Sequence, residues 1–231
     1  MVRFSTAVII PAWNESGSIS HVIGQISENY QIIVVDDGSD DGTGELARLG
    51  GAEVVVHAHN RGYDAAIESG FRRAVEMNMQ FIITLDADGQ HDPNLIADIV
   101  AELLAGASVV VGRRPQKQRI SEMIFGLVTG GLMGIHDPLC GMKGYRQEIF
   151  QEVGHFDCYD SVGTELMIYA AATKRIVTEI KVPISDRSDK PRFGATFGAN
   201  KKILLACFRG TYRFINVRVR PTKAMNVFHR S

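Results

Sequence analysis

Residues 81–91, with the sequence FIITLDADGQH, combine two signals that decide the fold. The apolar run at 81–85 is short, unbroken and rich in β-branched residues, which is typical of a strand buried on both faces of a mainly parallel sheet. Two carboxylates, Asp86 and Asp88, follow the run directly and are separated by one small residue. Because ligands of open α/β sheets bind beyond the carboxyl ends of the strands, the segment predicts an α/β fold with a ligand site at this edge.

Four further apolar runs repeat the strand signal on either side of this segment. They lie at residues 7–10, 32–35, 54–56 and 109–111. Apolar residues at helical spacing lie between the runs, and Asp92 followed by Pro93 predicts the N-cap and first position of one helix. This order predicts a βαβ series with helices on both faces of the sheet. Polar clusters that should meet at one sheet edge follow three of the runs, at Trp13-Asn14-Glu15, Asp36-Asp37 and Asn60-Arg61-Gly62.

The pattern changes after residue 119, but no linker or low-complexity tract separates the two halves of the chain. We therefore expect a single α/β domain at residues 1–195 and a basic amphipathic C-terminal segment at 196–231. The elements predicted in the second half are a helix at about 119–134, a strand at 142–146, a helix at 165–172 and a strand at 178–183.

The net charge of −1 hides an uneven distribution of charge. Residues 190–231 contain ten basic and no acidic residues, so the remaining 15 basic and all 26 acidic residues lie before them. A helix at 201–220 would place Lys202, Arg209, Arg213 and Arg220 along one line and Leu204, Phe208, Tyr212, Ile215 and Val219 along another. Such a helix suits an anionic membrane surface, docking of its apolar stripe on the core, or both. A nucleic-acid partner is not expected, because no stacking platform or groove-reading motif accompanies the charge.

Several function classes lack their sequence signatures. No GxGxxG follows the first strand and no GxxxxGK[ST] occurs, which argues against a Rossmann dinucleotide site and a P-loop NTPase. Three cysteines without a CxxC pair argue against a disulfide framework or a zinc cluster and fit a reducing compartment. The apolar stretch at 123–135 is too short to span a bilayer and predicts a core helix or an interfacial segment.

The Asp86-Ala87-Asp88 segment has two interpretations. Carboxylates at a strand end can hold a divalent cation, and Mg²⁺ typically takes one or two carboxylates together with substrate phosphates. The alternative is an Asx turn that caps the next helix. The second acidic pair, Asp36-Asp37, and the nearby glycine-containing segment favour the metal site.

Five ordered segments resemble the inverting GT-A glycosyltransferases of family 2, and within them the branch that includes dolichyl-phosphate mannose synthase and bacterial polyprenyl-phosphate glycosyltransferases. The resemblance covers about residues 5–190 and implies a GT-A fold. A later element of the family is matched by DPLCGMK at 137–143. The five segments are VIIPAWNE at 8–15, IVVDDGSDDGT at 33–43, NRGYDAA at 60–66, LDADGQH at 85–91 and VGRR at 111–114.

The resemblance implies a role for each matched position. Asp88 and Arg114 are expected to take part in catalysis, and Glu165 is the candidate general base if one is used. The alternative for Glu165 is a first-turn carboxylate favoured by the helix dipole. The residues implied to bind the nucleotide are Pro11, Trp13, Glu15, Asp36, Asp37, Gly62 and Asp86. The residues implied to bind Mg²⁺ or Mn²⁺ on the donor diphosphate are Asp86, Asp88 and Gln90.

The chemistry of the acceptor decides which further residues are needed. A phosphate acceptor is largely ionised near neutral pH, with a second pKa of about 6, and needs cations rather than a base. Guanidinium groups bind phosphate at two points, so Arg114, Arg119, Arg187 and Arg192 are the candidates, with solvated surface arginines as the alternative.

Two positions depart from the family pattern. An R-x-x-G-x-S-K element of the lipid-phosphate branch appears as RFGATF at 192–197, without the lysine, so that Lys201 or Lys202 takes its place or the contact is missing. Asp64 occupies a position that is usually small.

The sequence thus predicts a metal-dependent hexosyltransferase that uses a donor of the GDP-mannose or UDP-glucose type and a polyprenyl or dolichyl phosphate acceptor. We expect it to be cytoplasmic and peripheral at the cytoplasmic face of a membrane, with a membrane-protein partner as a further expectation. One alternative is transfer to a glycan hydroxyl with Glu165 or Asp137 as base. Others are a nucleotidyltransferase and a non-catalytic nucleotide-sugar-binding module.

Overall fold

A computed structural model describes residues 5–115, 119–183 and 197–219. The strands of this part are β1 (Thr6–Ala12), β2 (Gln31–Asp36), β3 (Glu53–Val56), β4 (Phe81–Thr84), β5 (Val109–Arg113), β6 (Lys143–Arg146) and β7 (Val177–Lys181). The helices are α1 (Ile19–Gln25), α2 (Thr43–Leu49), α3 (Tyr63–Glu76), α4 (Leu95–Leu104), α5 (Ile120–Met133), α6 (Gln147–Val153), α7 (Glu165–Ala172) and α8 (Phe197–Val219).

The strands form one sheet in the order β3-β2-β1-β4-β6-β5-β7. Neighbouring strands run parallel except β6, which is antiparallel to both β4 and β5. The predicted α/β fold with a mainly parallel sheet is therefore confirmed. Because β6 runs the opposite way, its first residue, Lys143, pairs with Thr84 of β4 and Val111 of β5 near the carboxyl ends of those strands.

Side chains alternate between two hydrophobic clusters, one on each face of the sheet. In β1, Ile9 enters one cluster, whereas Val8 and Ile10 enter the other. The cluster around Ile9 includes residues of α3, α6 and α7, and the opposite cluster includes residues of α1, α2 and α4. Helices thus cover both faces of the sheet, as the apolar runs predict.

Two local predictions need correction. The residues of β3 are only partly buried because β3 is an edge strand that pairs with β2 alone. Helix α4 begins at Leu95, with Asn94 at the N-cap, rather than after Asp92. Asp92 instead accepts a hydrogen bond from the backbone N–H of Asn94 at 2.9 Å, so it forms an Asx turn that precedes the helix.

Helix α8 docks on the body of the protein with a stripe that the helical wheel did not single out. Its buried side chains include Ile203, Ala206, Cys207, Phe214 and Val217. The predicted apolar line remains exposed at Leu204, Phe208, Tyr212 and Ile215. Nowhere in the described part of the chain is a helix both long enough and apolar enough to cross a membrane.

Two helical glycines make a matched test of this packing. A Cβ atom at Gly70 would lie 2.4 Å from Cγ2 of Ile9, whereas at Gly131 it would meet nothing within 4 Å. We expect Gly70→Ala to lower the free energy of unfolding by about 1–3 kcal/mol through overpacking against β1. Gly131→Ala should raise it by about 0.5–1 kcal/mol through helix propensity. Urea denaturation measures both, and equal effects would contradict the packing described.

Candidate active site

A cleft of about 580 Å³ lies at the carboxyl ends of β1, β2 and β4 and at the start of β6. The sequence predicted that the polar clusters would meet at this edge, and the cleft is where they meet. Of the positions predicted for nucleotide, metal, catalysis or acceptor, those that line it are Pro11, Trp13, Glu15, Asp37, Gly62, Asp86, Asp88, Gln90, Arg114 and Arg119.

The loop after β1 is tied to the loop after β2 and to the start of α2 by backbone N–H groups that donate to side-chain hydroxyls. The N–H of Asn14 donates to Oγ of Ser39 at 2.9 Å, and the N–H of Glu15 donates to Oγ1 of Thr43 at 2.8 Å. Asn14 adopts a left-handed backbone with φ 54°, a conformation that asparagine tolerates well. The turn leaves the Trp13 side chain 43% exposed at the cleft, where an aromatic ring can pack on a planar ligand.

Asp37 is a buried carboxylate that organises the loop before α3. One oxygen accepts the N–H of Arg61 at 2.9 Å and the other accepts the N–H of Gly62 at 2.8 Å. Nδ1 of His57 lies 2.6 Å from the same carboxylate, and Nε2 of His57 lies 2.8 Å from Oγ of Ser69. The Asp37 carboxylate therefore faces the cleft in a fixed orientation.

Asp36 does not line the cleft, although the resemblance implies that it binds the nucleotide. Its side chain is buried, and Oδ1 accepts the N–H of Ser39 at 3.0 Å. A Cβ atom at Gly44 would lie only 2.4 Å from Oδ2, so the carboxylate fills the space against α2. The structure thus gives Asp36 the role of supporting the loop that carries Asp37.

The acidic pair after β4 has surroundings that fit a divalent cation. The hydroxyl of Tyr63 donates to Oδ1 of Asp86 at 3.2 Å, and Gly141 leaves room for the same side chain, since a Cβ atom there would lie 2.1 Å from Oδ2. Nδ1 of His91 is buried 3.8 Å from Oδ2 of Asp86 and has no hydrogen-bond partner among the described residues. Carboxylate and amide oxygens from Asp86, Asp88 and Gln90 are suitable ligands for Mg²⁺ or Mn²⁺.

The Asx turn at Asp88 and a metal site at the same residue are compatible with each other. Oδ1 of Asp88 accepts the backbone N–H of Gln90 at 3.1 Å, which is the hydrogen bond of such a turn. Both residues nevertheless line the cleft. The turn therefore helps to orient the Asp88 carboxylate at the position where the sequence predicts a metal ligand.

Arg114 is held by two carboxylates. Its Nε and Nη2 donate to Asp137 at 2.8 Å each, and Nη2 also donates to Glu122 at 3.1 Å. Burial alone would lower the pKa of Arg114, but the hydrogen bonds and the charge of Asp137 raise it above its ordinary value. Nη1 of Arg119 donates to the same Glu122 at 2.9 Å. Glu122 thus bridges the two guanidinium groups, and both arginines line the cleft.

Lys143 lines the cleft but received no separate role from the sequence. Its ammonium group donates to the carbonyl of Gly163 at 3.0 Å, and burial lowers the pKa of the side chain. The DPLCGMK segment was the available signal, because it ends at this lysine. Sequence reasoning also missed Tyr63, whose contact with Asp86 depends on how α3 meets β4.

Glu165 lies outside the cleft, in a buried network behind its wall. The carboxylate accepts the N–H of Cys158 at 2.7 Å and contacts Nη1 of Arg213 at 3.1 Å and Nε2 of His155 at 3.2 Å. The carboxylate charge raises the pKa of His155 through that hydrogen bond. The prediction that Glu165 is the general base is therefore corrected. The protein itself uses the oxygens of Glu165, and the residue fixes α7 against α8. Arg187 and Arg192 lie outside the described residues.

Comparison with known proteins assigns the chain to a family. Residues 7–122 match the family model for glycosyl transferase family 2. The chain belongs to that family. This family 2 glycosyltransferase is 31% identical to an uncharacterized glycosyltransferase of Mycobacterium tuberculosis over 198 residues, which is 81% of this chain and 88% of that protein. It is 27% identical to the dolichyl-phosphate hexose transferase of Haloferax volcanii over 225 residues, 90% of this chain and 96% of that protein.

Another relative and a solved structure extend the comparison. The polyprenol monophosphomannose synthase of Mycolicibacterium smegmatis is 30% identical over 169 residues, 64% of either chain. The crystal structure of glucosyl-3-phosphoglycerate synthase from Mycobacterium tuberculosis with Mn²⁺, uridine diphosphate and phosphoglyceric acid matches with a TM-score of 0.70. At 20% identity, over 95% of this chain and 79% of that one, the match supports the GT-A fold. The protein is thus a glycosyltransferase with the fold that the sequence predicts.

The location of Glu165 leads to a prediction that separates a structural role from a catalytic one. Glu165→Gln removes the charge that compensates Arg213, so it should lower the free energy of unfolding by about 3 kcal/mol or more. The kcat of the folded variant, measured below its unfolding transition, should fall by less than about tenfold, whereas loss of a general base costs about 100-fold or more. The exposed Glu148→Gln is the control and should change neither quantity.

Proposed function

We propose that the protein transfers a hexose from a nucleoside diphosphate sugar to a polyprenyl or dolichyl phosphate at a membrane surface. The observation that carries the proposal is the meeting, in one cleft, of an acidic pair, a nucleotide-type loop and a cationic wall. The names of two relatives, a polyprenol monophosphomannose synthase and a dolichyl-phosphate hexose transferase, support the same acceptor class. Either a GDP-mannose or a UDP-glucose type of donor is compatible with the cleft.

In this proposal, the nucleotide lies between the loops after β1 and β2. Trp13 and Pro11 would pack on the base, and the carboxylates of Asp37 and Glu15 would accept hydrogen bonds from the base or ribose. Hydrogen bonds from Arg61 and Gly62 hold the Asp37 carboxylate still, which reduces the entropy lost on binding.

Asp86, Asp88 and Gln90 would hold Mg²⁺ or Mn²⁺ beside the donor diphosphate. When bound, such an ion would act as a Lewis acid that neutralises charge on the leaving nucleoside diphosphate. Tyr63 would hold Asp86 in position through its hydroxyl hydrogen bond. The buried ammonium group of Lys143, near Asp86, would add positive charge close to the diphosphate.

The acceptor would approach along the cationic wall. An acceptor phosphate oxygen would attack the anomeric carbon of the donor sugar and displace the nucleoside diphosphate, with inversion at that carbon. Arg119, together with Arg114, would place the phosphate and offset repulsion between the two anionic substrates. Glu122 and Asp137 would hold Arg114 in position, since both accept hydrogen bonds from its guanidinium. Arg187 and Arg192 stay predicted acceptor contacts.

Transfer to a glycan hydroxyl is the less favoured alternative. The two residues proposed as its general base are Glu165 and Asp137, and both are buried away from the cleft lining. Asp137 is engaged by the Arg114 guanidinium, and Glu165 by Arg213 and Cys158. A phosphate acceptor needs neither residue as a base, because it arrives ionised.

The membrane surface in this proposal is the outer face of α5 and α8. The two helices pack together through Phe125, Ile203 and Ala206, and Oγ of Ser121 donates to the Asn200 side chain at 2.6 Å. Both helices expose large apolar side chains, including Met123, Leu127, Leu204 and Phe208. Helix α8 adds the exposed basic residues Lys201, Lys202, Arg209 and Arg218, and it contains no acidic residue. Apolar and basic side chains together favour the cytoplasmic leaflet, which is anionic.

The donor half of the proposal is tested with Asp88→Asn. The variant should lose Mn²⁺-dependent binding of nucleoside diphosphate in isothermal titration, and transfer to polyprenyl phosphate should fall by about 100-fold or more. Asp92→Asn is the matched control, because its side-chain oxygen can still accept the turn hydrogen bond. If no nucleotide sugar binds to the wild-type protein with either metal, the proposed function fails.

The membrane half is tested by vesicle flotation with the full chain. Phe208→Glu and Leu127→Glu each place a carboxylate on the exposed face, and we expect about tenfold weaker binding to vesicles that contain anionic phosphatidylglycerol. Leu49→Glu, at an exposed position on α2, is the control and should bind as the wild type does. Wild-type protein that stays in solution, or variants that float equally well, would contradict this surface.

A further inference from the structure

A second cavity, of about 190 Å³, adjoins the cleft between the start of α3, the start of α5 and helix α8. Arg119 and Leu139 line both spaces, so the two are neighbours. One part of its wall is apolar, with Val162 and Ile203, and the other part is charged, with Asp64 and Lys202. This combination suits an amphiphile whose anionic head lies beside an apolar chain.

Asp64 is the unexpected group in this wall. It follows Tyr63 in the first turn of α3, and its Oδ1 is buried without a hydrogen-bond partner among the described residues. Burial, and then the charge of Asp157, raise the pKa of this carboxyl to about 6. It therefore exchanges its proton close to neutral pH.

Charged groups from every neighbouring element face Asp64. Asp157 and Asp160, from the loop before α7, disfavour its ionised form, whereas Lys202 of α8 and Lys143 of β6 favour it. From the start of α5 and the end of β5, three more residues line the same cavity, namely Arg114, Arg119 and Glu122. These charges act in opposite directions on the ionisation of Asp64. The arrival of one more anion would therefore shift the carboxyl toward its neutral form.

We propose that Asp64 takes part in binding the acceptor: as the neutral acid it donates a hydrogen bond to an acceptor phosphate held between Arg119 and Lys202. An ionised carboxylate at this point would repel the phosphate, whereas a carboxylic acid supplies an O–H donor for its anionic oxygen. The Asp64 carboxyl, which lines the cavity, then has the ligand as its partner. Lys202, rather than Lys201, supplies the cation missing from the 192–197 segment, because it is the one that lines the cavity. This inference rests on the proposed function, since it names residues of the same acceptor site.

The consequence is that acceptor binding takes up a proton at Asp64 when the pH is above about 6. Ionisation of the free enzyme should therefore weaken acceptor binding by up to tenfold for each further pH unit. Donor binding should not follow this dependence, because the donor residues lie in the neighbouring cleft. Asparagine at position 64 would keep a hydrogen-bond donor at every pH.

The test compares Asp64→Asn with wild type at pH 5.5 and pH 8.0, with polyprenyl phosphate as the varied substrate. At pH 8.0 the acceptor KM of the variant should be about 50- to 100-fold below that of the wild type, and at pH 5.5 the two should agree within about twofold. The kcat and the donor KM should stay within about twofold throughout. Asp98→Asn, at an exposed acid of α4 that does not line the cavity, is the control and should match the wild type at both values.

Calorimetry gives a readout that does not depend on turnover. Farnesyl phosphate is titrated at pH 7 in two buffers of different ionisation enthalpy, and the wild type should take up close to one proton more than Asp64→Asn. Equal proton uptake, or an unchanged KM ratio at the two pH values, would overturn the inference. A fall in kcat of about 100-fold with unchanged KM would also overturn it, because it would make Asp64 a base for a hydroxyl acceptor.

These outcomes are distinct from failure of the proposed function. If the wild-type protein transfers no sugar to polyprenyl phosphate, the proposed function fails. If it does so and Asp64→Asn behaves as the wild type, only the role of Asp64 fails. Asp64→Gly, which carries neither charge nor donor, should relieve the repulsion at pH 8.0 but bind acceptor more weakly than Asp64→Asn at pH 5.5.

Discussion

The antiparallel insertion of β6 between β4 and β5 is the constraint on which the site depends. A parallel strand would begin at the opposite edge of the sheet, whereas β6 begins where β4 and β5 end. Its first residue, Lys143, and the preceding Gly141 therefore reach the acidic pair that follows β4. Gly141 approaches Asp86 so closely that a Cβ atom there would displace the Asp86 carboxylate. The direction of β6 thus determines which residues, Gly141 and Lys143 among them, form the floor of the cleft.

Charged side chains lie around this floor. Some of them only support the structure, whereas others line the cleft and can contact a ligand. Two acids lie outside the cleft lining: Asp137 forms a two-point pair with Arg114, and Glu165 is compensated by Arg213. Breaking such buried pairs costs more than forming them gains, so they act mainly to fix geometry. The carboxylates of Asp37 and Asp86 also accept hydrogen bonds, yet they line the cleft and can meet a ligand. Location relative to the cleft, rather than charge, distinguishes the two groups.

The sequence predicted the sheet and its ligand edge because both follow from local patterns. Apolar runs define buried strands, and acids after them at Asp37 and Asp86 must gather at one edge of a parallel sheet. It could not distinguish Asp36 from Asp37, since adjacent residues on a strand point to opposite sides. It also misplaced Glu165, because only the approach of α8 shows that Arg213 occupies its oxygens. The docking stripe of α8 was missed for the same reason.

Helix α8 belongs to the basic C-terminal segment that the sequence predicts from residue 196, and its inner face is part of the protein interior. Ile203 and Ala206 cover Phe125, and Phe214 enters the main core. A truncated chain without this helix would expose Phe125 and the Glu165 carboxylate to water and open the second cavity on one side. Such a fragment would be prone to aggregate, so loss of activity after truncation says little about membrane attachment. Point substitutions on the outer face of α8 leave its inner face intact. They therefore distinguish membrane attachment from packing against the protein interior.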